Sequence, residues 1–411
     1  MSSFANIAKR TALSATLAAA VAAVAGAPAA QADVPPTAPA STEAATNDAK
    51  LRAQNQPATV ASGEVVPGRF IVKVRHGKDP KALADENTAK PKFVFRDAFN
   101  GFSADLDSGK LAKLKRHPQV EGIEPVTVGS ATATQTYDLP WGLDRIDQRS
   151  RPLSGGMTYS YTGAGVNAYI VDSGIQTSHP QFGGRASAVF DNVGDGRAGQ
   201  DCNGHGTHVA GTVGGATYGV AKAVRLYSVR VLNCSGTTTS DKEMAALNWL
   251  RVNARRPAVV NVSIGGPKNT YLNQAVTNLA NSGVFVSVAA GNDNLDACNA
   301  SPASAPGSFT VAASNSYDQK WSSSNWGGCV DGYAPGVGVK SAYLNSTTTL
   351  MNGTSMAAPH VAGIIAVAKS AYGDGYSSSS WVSWLINNST TNVISGNYTG
   401  TPNRLVWKGT L

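Results

Sequence analysis

Four short stretches of the chain are apolar almost without interruption: Val166 to Val171, Arg225 to Leu232, Ala258 to Ile264 and Gly283 to Ala290. Helix-like segments such as Asp241 to Asn253 and Leu272 to Asn281 lie between and around them. Strands that are apolar on both faces and joined by helical crossovers predict a mainly parallel sheet sandwiched by helices. This is an α/β domain, spanning 131–411. In open sheets of this kind, chemistry gathers beyond the carboxyl ends of the strands. No internal repeat is visible.

Ahead of residue 131 the pattern changes. Phe70-Ile71-Val72-Lys73-Val74 and Phe93-Val94-Phe95 read as short strands, and Phe102-Ser103-Ala104-Asp105-Leu106 alternates cleanly. Residues 109–117 resemble a short helix with Leu111 and Leu114 on one face, and Val120 to Val128 is a last extended piece. Together they form a small α+β unit over 63–130, followed by a run of small residues to Thr134 that is suited to proteolytic nicking. Residues 33–62, rich in Ala, Pro and Thr without periodicity, read as a flexible linker. At the N-terminus, Lys9 and Arg10 precede an alanine-rich stretch from Ala12 to about Ala27, and Ala30-Gln31-Ala32 follows. That order of charge, apolar run and small residues predicts a secretory signal peptide over 1–32. The apolar run is short and weakly hydrophobic for a membrane anchor. The expectation is therefore an exported, extracellular protein with no membrane attachment after cleavage.

Composition narrows the picture further. Hydrophobic residues make up 42% of the chain and charged ones 15%, which suits a large buried core and excludes wholesale disorder. The net charge is +8, yet the basic residues are scattered, without the clustering that nucleic-acid binding requires. The four cysteines, Cys202, Cys234, Cys298 and Cys329, form no CxxC pair, so zinc or dithiol redox chemistry has little support. In an exported chain their even number points to disulfides, with three pairings open.

Three motifs carry the candidate chemistry. Ala168-Tyr169-Ile170-Val171-Asp172-Ser173-Gly174 sets an acid directly after a buried strand. Asn203-Gly204-His205-Gly206-Thr207-His208 sets a histidine at the start of a small-residue helix. Asn352-Gly353-Thr354-Ser355-Met356-Ala357-Ala358-Pro359-His360 sets a serine at the start of another, with Pro359 near its first turn. A serine needs an adjacent base to act as a nucleophile. An imidazole oriented by a buried carboxylate supplies one, and N–H groups at a helix start face the developing negative charge. A fourth segment, Val286-Ser287-Val288-Ala289-Ala290-Gly291-Asn292, ends a strand in an amide able to join the Ser355 N–H as an oxyanion donor. Taken singly, Asp172 reads as a turn residue, His205 as a core histidine or, with His208, a metal ligand, and Ser355 as a helix cap. The His-x-x-His spacing lacks the glutamate and the i,i+4 geometry of a zinc-protease helix. The conjunction of the four favours catalysis. Gly353-x-Ser355-x-Ala357 lacks the second glycine of the hydrolase elbow, which disfavours an esterase.

The order Asp, His, Ser is the subtilisin arrangement. These motifs, with Trp141-Gly142-Leu143-Asp144-Arg145-Ile146-Asp147-Gln148 and Pro402-Asn403-Arg404-Leu405, resemble the proteinase K-like, aqualysin-like branch of the subtilisin superfamily over nearly all of 131–411. The resemblance implies a secreted serine endopeptidase, acting as a monomer on protein and peptide substrates, with Asp172, His205 and Ser355 as catalytic residues and Asn292 with Ser355 as the oxyanion hole. Residues 63–130 resemble the family's inhibitory and chaperone prodomain, a ferredoxin-like unit, which implies self-processing within about 129–135. The resemblance also implies that Cys202 pairs with Cys234 and Cys298 with Cys329. Ser263, Ile264, Gly265 and Gly266 with Ala289, Ala290 and Gly291 are implied to wall an apolar-tolerant specificity pocket without a fixed counter-charge. Gly236, Thr237 and Thr238 are implied to pair with extended substrate, although Thr238 stands where the branch usually has glycine. No cofactor is implied for catalysis. Structural calcium is implied at Asp331 with the carbonyls of Pro306 and Ser308, and at Asp144, Asp147 and Gln148 with Ser154 and Gly156. A catalytically silent member acting as a binding protein is the competing function, and the filled catalytic positions argue against it.

Overall fold

The computed structural model describes residues 65–97, 99–127 and 133–411. The signal peptide read over 1–32, the linker over 33–62 and most of the processing segment lie outside these residues.

The N-terminal unit runs β1 (Val65–Val74), α1 (Pro80–Glu86), β2 (Pro91–Phe95), β3 (Gly101–Asp105), α2 (Ser108–Lys115) and β4 (Val120–Thr127). Its antiparallel sheet has the order β2-β3-β1-β4. Val72, Val74, Phe102 and Ala104 from the strands bury against Leu83 and Ala84 of α1 and Leu114 of α2. The sequence reading assigns no element to α1. Its signal is local: Asp79 accepts the Lys81 N–H at 2.8 Å, and Pro80 sits where no N–H is needed.

In the larger unit, β5 (Ala133–Gln135) precedes α3 (Trp141–Asp147) and pairs with β6 (Met157–Tyr159). Then come β7 (Asn167–Asp172), β8 (Ala186–Asp191), α4 (His205–Gly214), β9 (Arg225–Arg230), α5 (Ser240–Asn253) and β10 (Ala258–Val262). The short strand β11 (Gly266–Pro267), α6 (Thr270–Asn281) and β12 (Phe285–Ala289) follow. The chain continues through β13 (Ala300–Ser301), β14 (Phe309–Ser314), β15 (Gly332–Pro335) and the hairpin β16 (Val339–Tyr343) and β17 (Thr347–Met351). It closes with α7 (Thr354–Tyr372), α8 (Ser378–Asn388), β18 (Thr390–Thr391) and β19 (Arg404–Leu405).

The nine-stranded sheet has the order β18-β19-β15-β14-β12-β10-β7-β9-β8. Its pairings are parallel except for β18 with β19. The continuous apolar strands have their explanation here. Along β7, Ala168 and Ile170 enter a core with Val209 of α4 and Val361 of α7. Tyr169 and Val171 enter the opposite core with Leu247 of α5 and Val276 of α6. Both faces are covered, so neither needs polar residues. From β7 the chain lays β8 and β9 to one side and β10, β12, β14 and β15 to the other, which makes the carboxyl end of β7 a switch point.

Helix α7 is buried from Thr354 to Lys369. Pro359 lies inside this helix rather than near its first turn. Lacking an N–H, it leaves the Ser355 carbonyl without its i+4 donor. The Ser263 hydroxyl replaces that donor at 2.9 Å.

Candidate active site

Asp172 ends β7, fully buried. Its Oδ1 accepts the Ser173 N–H at 2.7 Å and lies 2.7 Å from Nδ1 of His205, whose side chain is 20% exposed. Oδ2 is buried without a hydrogen-bond partner. His205 opens α4, and the close approach of that helix to β7 depends on Gly206. A Cβ there would collide with the Gly174 carbonyl and lie 3.1 Å from the Asp172 side chain. Gly206→Ala is therefore expected to lower stability by about 1–3 kcal/mol, measured by urea unfolding. A loss within experimental error would show that the helix moves aside freely.

Asp201 organises the same turn. Its Oδ1 accepts from the N–H groups of Asn203 and Gly204 and from the Ser173 hydroxyl, each at 2.9 Å. Its Oδ2 accepts the Thr207 N–H, also at 2.9 Å. The carboxylate thus satisfies N–H groups at the start of α4 that have no helical partner. Burial alone would push the His205 pKa down. The charge and hydrogen bond of Asp172, with the charge of Asp201, more than offset it, and the net direction is up. His208 faces the other way, with Nε2 2.9 Å from the Val339 carbonyl, and burial pushes it down to about 4. The two histidines therefore do not converge on one ion. Among the described residues the one cluster with metal-ligand spacing is Asp195, Cys202 and Cys234, and its sulfurs are joined in a disulfide.

Ser355, the second residue of α7, is 9% exposed. Its hydroxyl donates to the Ser263 carbonyl at 3.1 Å rather than to the His205 ring. Asn292 stands beside it with a fixed orientation. Its Oδ1 accepts from the Thr354 N–H at 2.9 Å and the Thr354 hydroxyl at 2.8 Å, so its NH2 group is the end left to face the cleft. The loop carrying Asn292 is held by Asn325, which donates to the Ala290 carbonyl and accepts from Asp293 N and Leu295 N.

A cleft of about 510 Å³ opens over Ser355 and Asn292, walled by Ile264, Gly265, Gly266, Ala289 and Gly291. Ala290 and Ser263 are buried and absent from the lining. Asp293 and Asp296, which the sequence reading does not place there, also line it. Gly236, Thr237 and Thr238 line an adjoining pocket of about 550 Å³, which shares the Ile264–Pro267 wall.

Comparison with known proteins supplies the family. The Subtilase family (Peptidase S8) matches residues 163–407, more than half of the chain. The chain belongs to the subtilase family. It is a serine-type endopeptidase with a subtilisin-like fold. Peptidase inhibitor I9 matches residues 42–128, beginning inside the stretch that reads as a linker. An extracellular serine proteinase of Thermus sp. (strain Rt41A) is 41% identical over 391 residues, covering 89% of this chain and 93% of its own. Proteinase R of Parengyodontium album is 39% identical over 333 residues, covering 78% of this chain and 84% of its own. The crystal structure of a cold-adapted subtilisin-like serine proteinase superposes with a TM-score of 0.65 at 44% identity, covering 67% of this chain and 99% of that one.

The subtilase pairs Cys202 with Cys234 and Cys298 with Cys329. The first bridge ties the His205 turn to the loop carrying Gly236–Thr238. The residues read as calcium ligands separate into two cases. Asp331 lies against the segment that follows Pro306 and Ser308, with Oδ2 accepting the Thr310 N–H at 2.8 Å, and burial pushes its carboxyl up to about 6. A half-buried carboxylate whose charge burial disfavours fits a hard cation. The second set is assembled only in part. Asp144, Gln148, Ser154 and Gly156 are brought together, but both Asp144 oxygens already accept N–H groups of Ser154 and Gly155. Asp147 pairs with Lys408 at 2.9 Å, so its charge is already neutralised.

Sequence reasoning assigns no role to Asp201, Asn325 or Thr354. Their only signal is residue type, Asx and Thr residues flanking the motifs, because each acts on backbone remote in sequence.

Proposed function

We propose that this subtilase is exported as a precursor and hydrolyses peptide bonds through an acyl-enzyme, with Ser355 as nucleophile, His205 as general base and Asp172 orienting the imidazole and stabilising the imidazolium that forms. The reading is carried by the 2.7 Å contact between Asp172 and His205, set beside a cleft that holds Ser355 and an oriented Asn292 amide. For attack, the Ser355 hydroxyl leaves the Ser263 carbonyl and turns to Nε2 of His205, a contact that tightens in such sites only with substrate bound. The Oγ–carbon bond forms as its proton passes to Nε2, and the carbonyl π pair moves to the oxygen. The Asn292 NH2 and the Ser355 N–H receive that oxyanion. His205 then protonates the leaving amine, and water releases the acyl group by the reverse sequence.

Small residues at Gly265, Gly266, Ala289 and Gly291 leave space for a large side chain, supporting cleavage after apolar or aromatic residues. Residues 63–130 act as intramolecular inhibitor and chaperone, cleaved within about 129–135 after loss of the signal peptide 1–32. The I9 match and the β-α-β-β-α-β order support that reading.

Labelling with diisopropyl fluorophosphate tests the assignment. A single adduct on the Ser355 peptide, located by mass spectrometry and matched to complete loss of activity, is expected. An adduct elsewhere, or activity surviving stoichiometric labelling at Ser355, overturns it. Asn292→Ala should lower kcat by about 10²–10³, the magnitude that loss of such a donor has in this family, with KM little changed.

Calcium is proposed at Asp331 with the Pro306 and Ser308 carbonyls, to stabilise the fold without entering the chemistry. With its folded pKa raised to about 6, the metal-free protein loses stability as pH rises from about 4 through 6. A bound cation offsets that loss. EDTA at pH 8 is therefore expected to lower Tm by about 5 °C or more, and Asp331→Asn to abolish the response. An equal EDTA response in wild type and variant would remove Asp331 from the site.

A further inference from the structure

The pocket beside the Ser355 cleft has an unusual floor. Its walls include the apolar side chains of Leu232, Ile264 and Leu272, with Thr238 at the edge. Among them lies Glu243, only 8% exposed, whose Oε2 is buried without a hydrogen-bond partner. Glu243 stands in the opening turn of α5, where an acid ordinarily serves the helix terminus. The backbone of Glu243 makes the helical bond to the Thr239 carbonyl, while its Oε2 accepts no N–H. Lys268 also lines the pocket but is exposed, and no ion pair joins it to Glu243 among the described residues.

A buried carboxylate without a partner is costly unless it is neutralised or paired. Burial pushes this one up to about 7. The pocket shares the Ile264–Pro267 wall with the Ser355 cleft, so one extended peptide laid along that wall reaches both.

We propose that Glu243 makes this pocket a subsite for a long basic side chain, Lys or Arg, carried by a substrate residue upstream of the scissile bond. The aliphatic stem lies on Leu232, Ile264 and Leu272, and the cationic head meets the Glu243 carboxylate. An apolar occupant of the same size leaves the carboxyl buried and unpaired, and so binds less well. The inference rests on Ser355 being the nucleophile, since that choice makes the neighbouring pocket part of a substrate track.

Peptide anilides with Phe before the scissile bond, and Arg, Gln or Leu scanned through the three preceding positions, test the subsite. At one of those positions the processed wild-type enzyme should favour Arg over Leu in kcat/KM by about tenfold, or about 1.4 kcal/mol. Glu243→Leu should reverse that ratio and Glu243→Gln should reduce it. The ratio is taken within each enzyme, so a difference in folded fraction does not enter. An Arg-to-Leu ratio that is the same in wild type and both variants, or a wild-type preference for Leu at every position, overturns the proposal. Failure of the catalytic reading looks different: wild type then cleaves none of the peptides and takes no fluorophosphate at Ser355.

Discussion

Ser355→Ala is expected to lower kcat on casein by about 10⁶, the size that removal of the nucleophile has in this family, and to leave the precursor unprocessed. The physical reason is specific to one atom. The hydroxyl contributes its hydrogen bond to the Ser263 carbonyl and little else to the fold, whereas the Ser355 carbonyl, which the Ser263 hydroxyl caps, belongs to the backbone and survives the change. Loss of the single bond costs about 1 kcal/mol of stability. The variant should therefore stay folded with Asn292 still held by Thr354. A residual rate of about 10³ over water, from the oxyanion donors and binding alone, is the expected floor. The measurement is casein hydrolysis with the precursor mass followed in parallel. Turnover within tenfold of wild type would remove Ser355 from the mechanism.

Asp172→Asn should reduce kcat/KM by about 10⁴ while the geometry survives. The amide oxygen can take the place of Oδ1, which receives the His205 and Ser173 N–H groups, and the NH2 can take the place of Oδ2, which has no partner to lose. What disappears is the charge. In wild type the His205 pKa is raised because the charge and hydrogen bond of Asp172, with Asp201, outweigh burial. In the proposed mechanism neutral imidazole is the active form, so the acid limb of wild-type kcat/KM should lie above the ordinary value of about 6.5. In the variant burial is offset mainly by Asp201, and the limb should move to lower pH. The stability linkage has the opposite sense. The raised pKa adds stability that is complete below the unfolded value and is lost as pH climbs through the folded one. Wild type thus gains activity over the same interval in which it gives up this contribution. Identical acid limbs in the two proteins would separate His205 from the rate.

Much of this was legible before any coordinates. The apolar runs at β7, β9, β10 and β12 announce strands covered on both faces, and each element forms within a few residues of its expected span. The four motifs mark strand ends and helix starts because a buried strand followed by a small polar turn is a local signal. Helix α1 escaped because its seven residues present too short a period to read. Pro359 was mislocated because the bond compensating for it comes from Ser263, 92 residues away. The pairing of Asp147 with Lys408 left no signal because the lysine arrives from the far end of the chain.

The sequence by itself determined the fold class, the order of the chemistry-bearing residues and their placement at element ends, since periodicity and turn chemistry act between near neighbours. Only the tertiary structure decided which way the Asn292 amide faces, that Asp201 ties down the His205 turn, and that Glu243 is left buried and unpaired beside the cleft. Those outcomes depend on contacts between residues far apart in the chain, where burial and hydrogen bonding are set by packing and leave no spacing for a sequence to show.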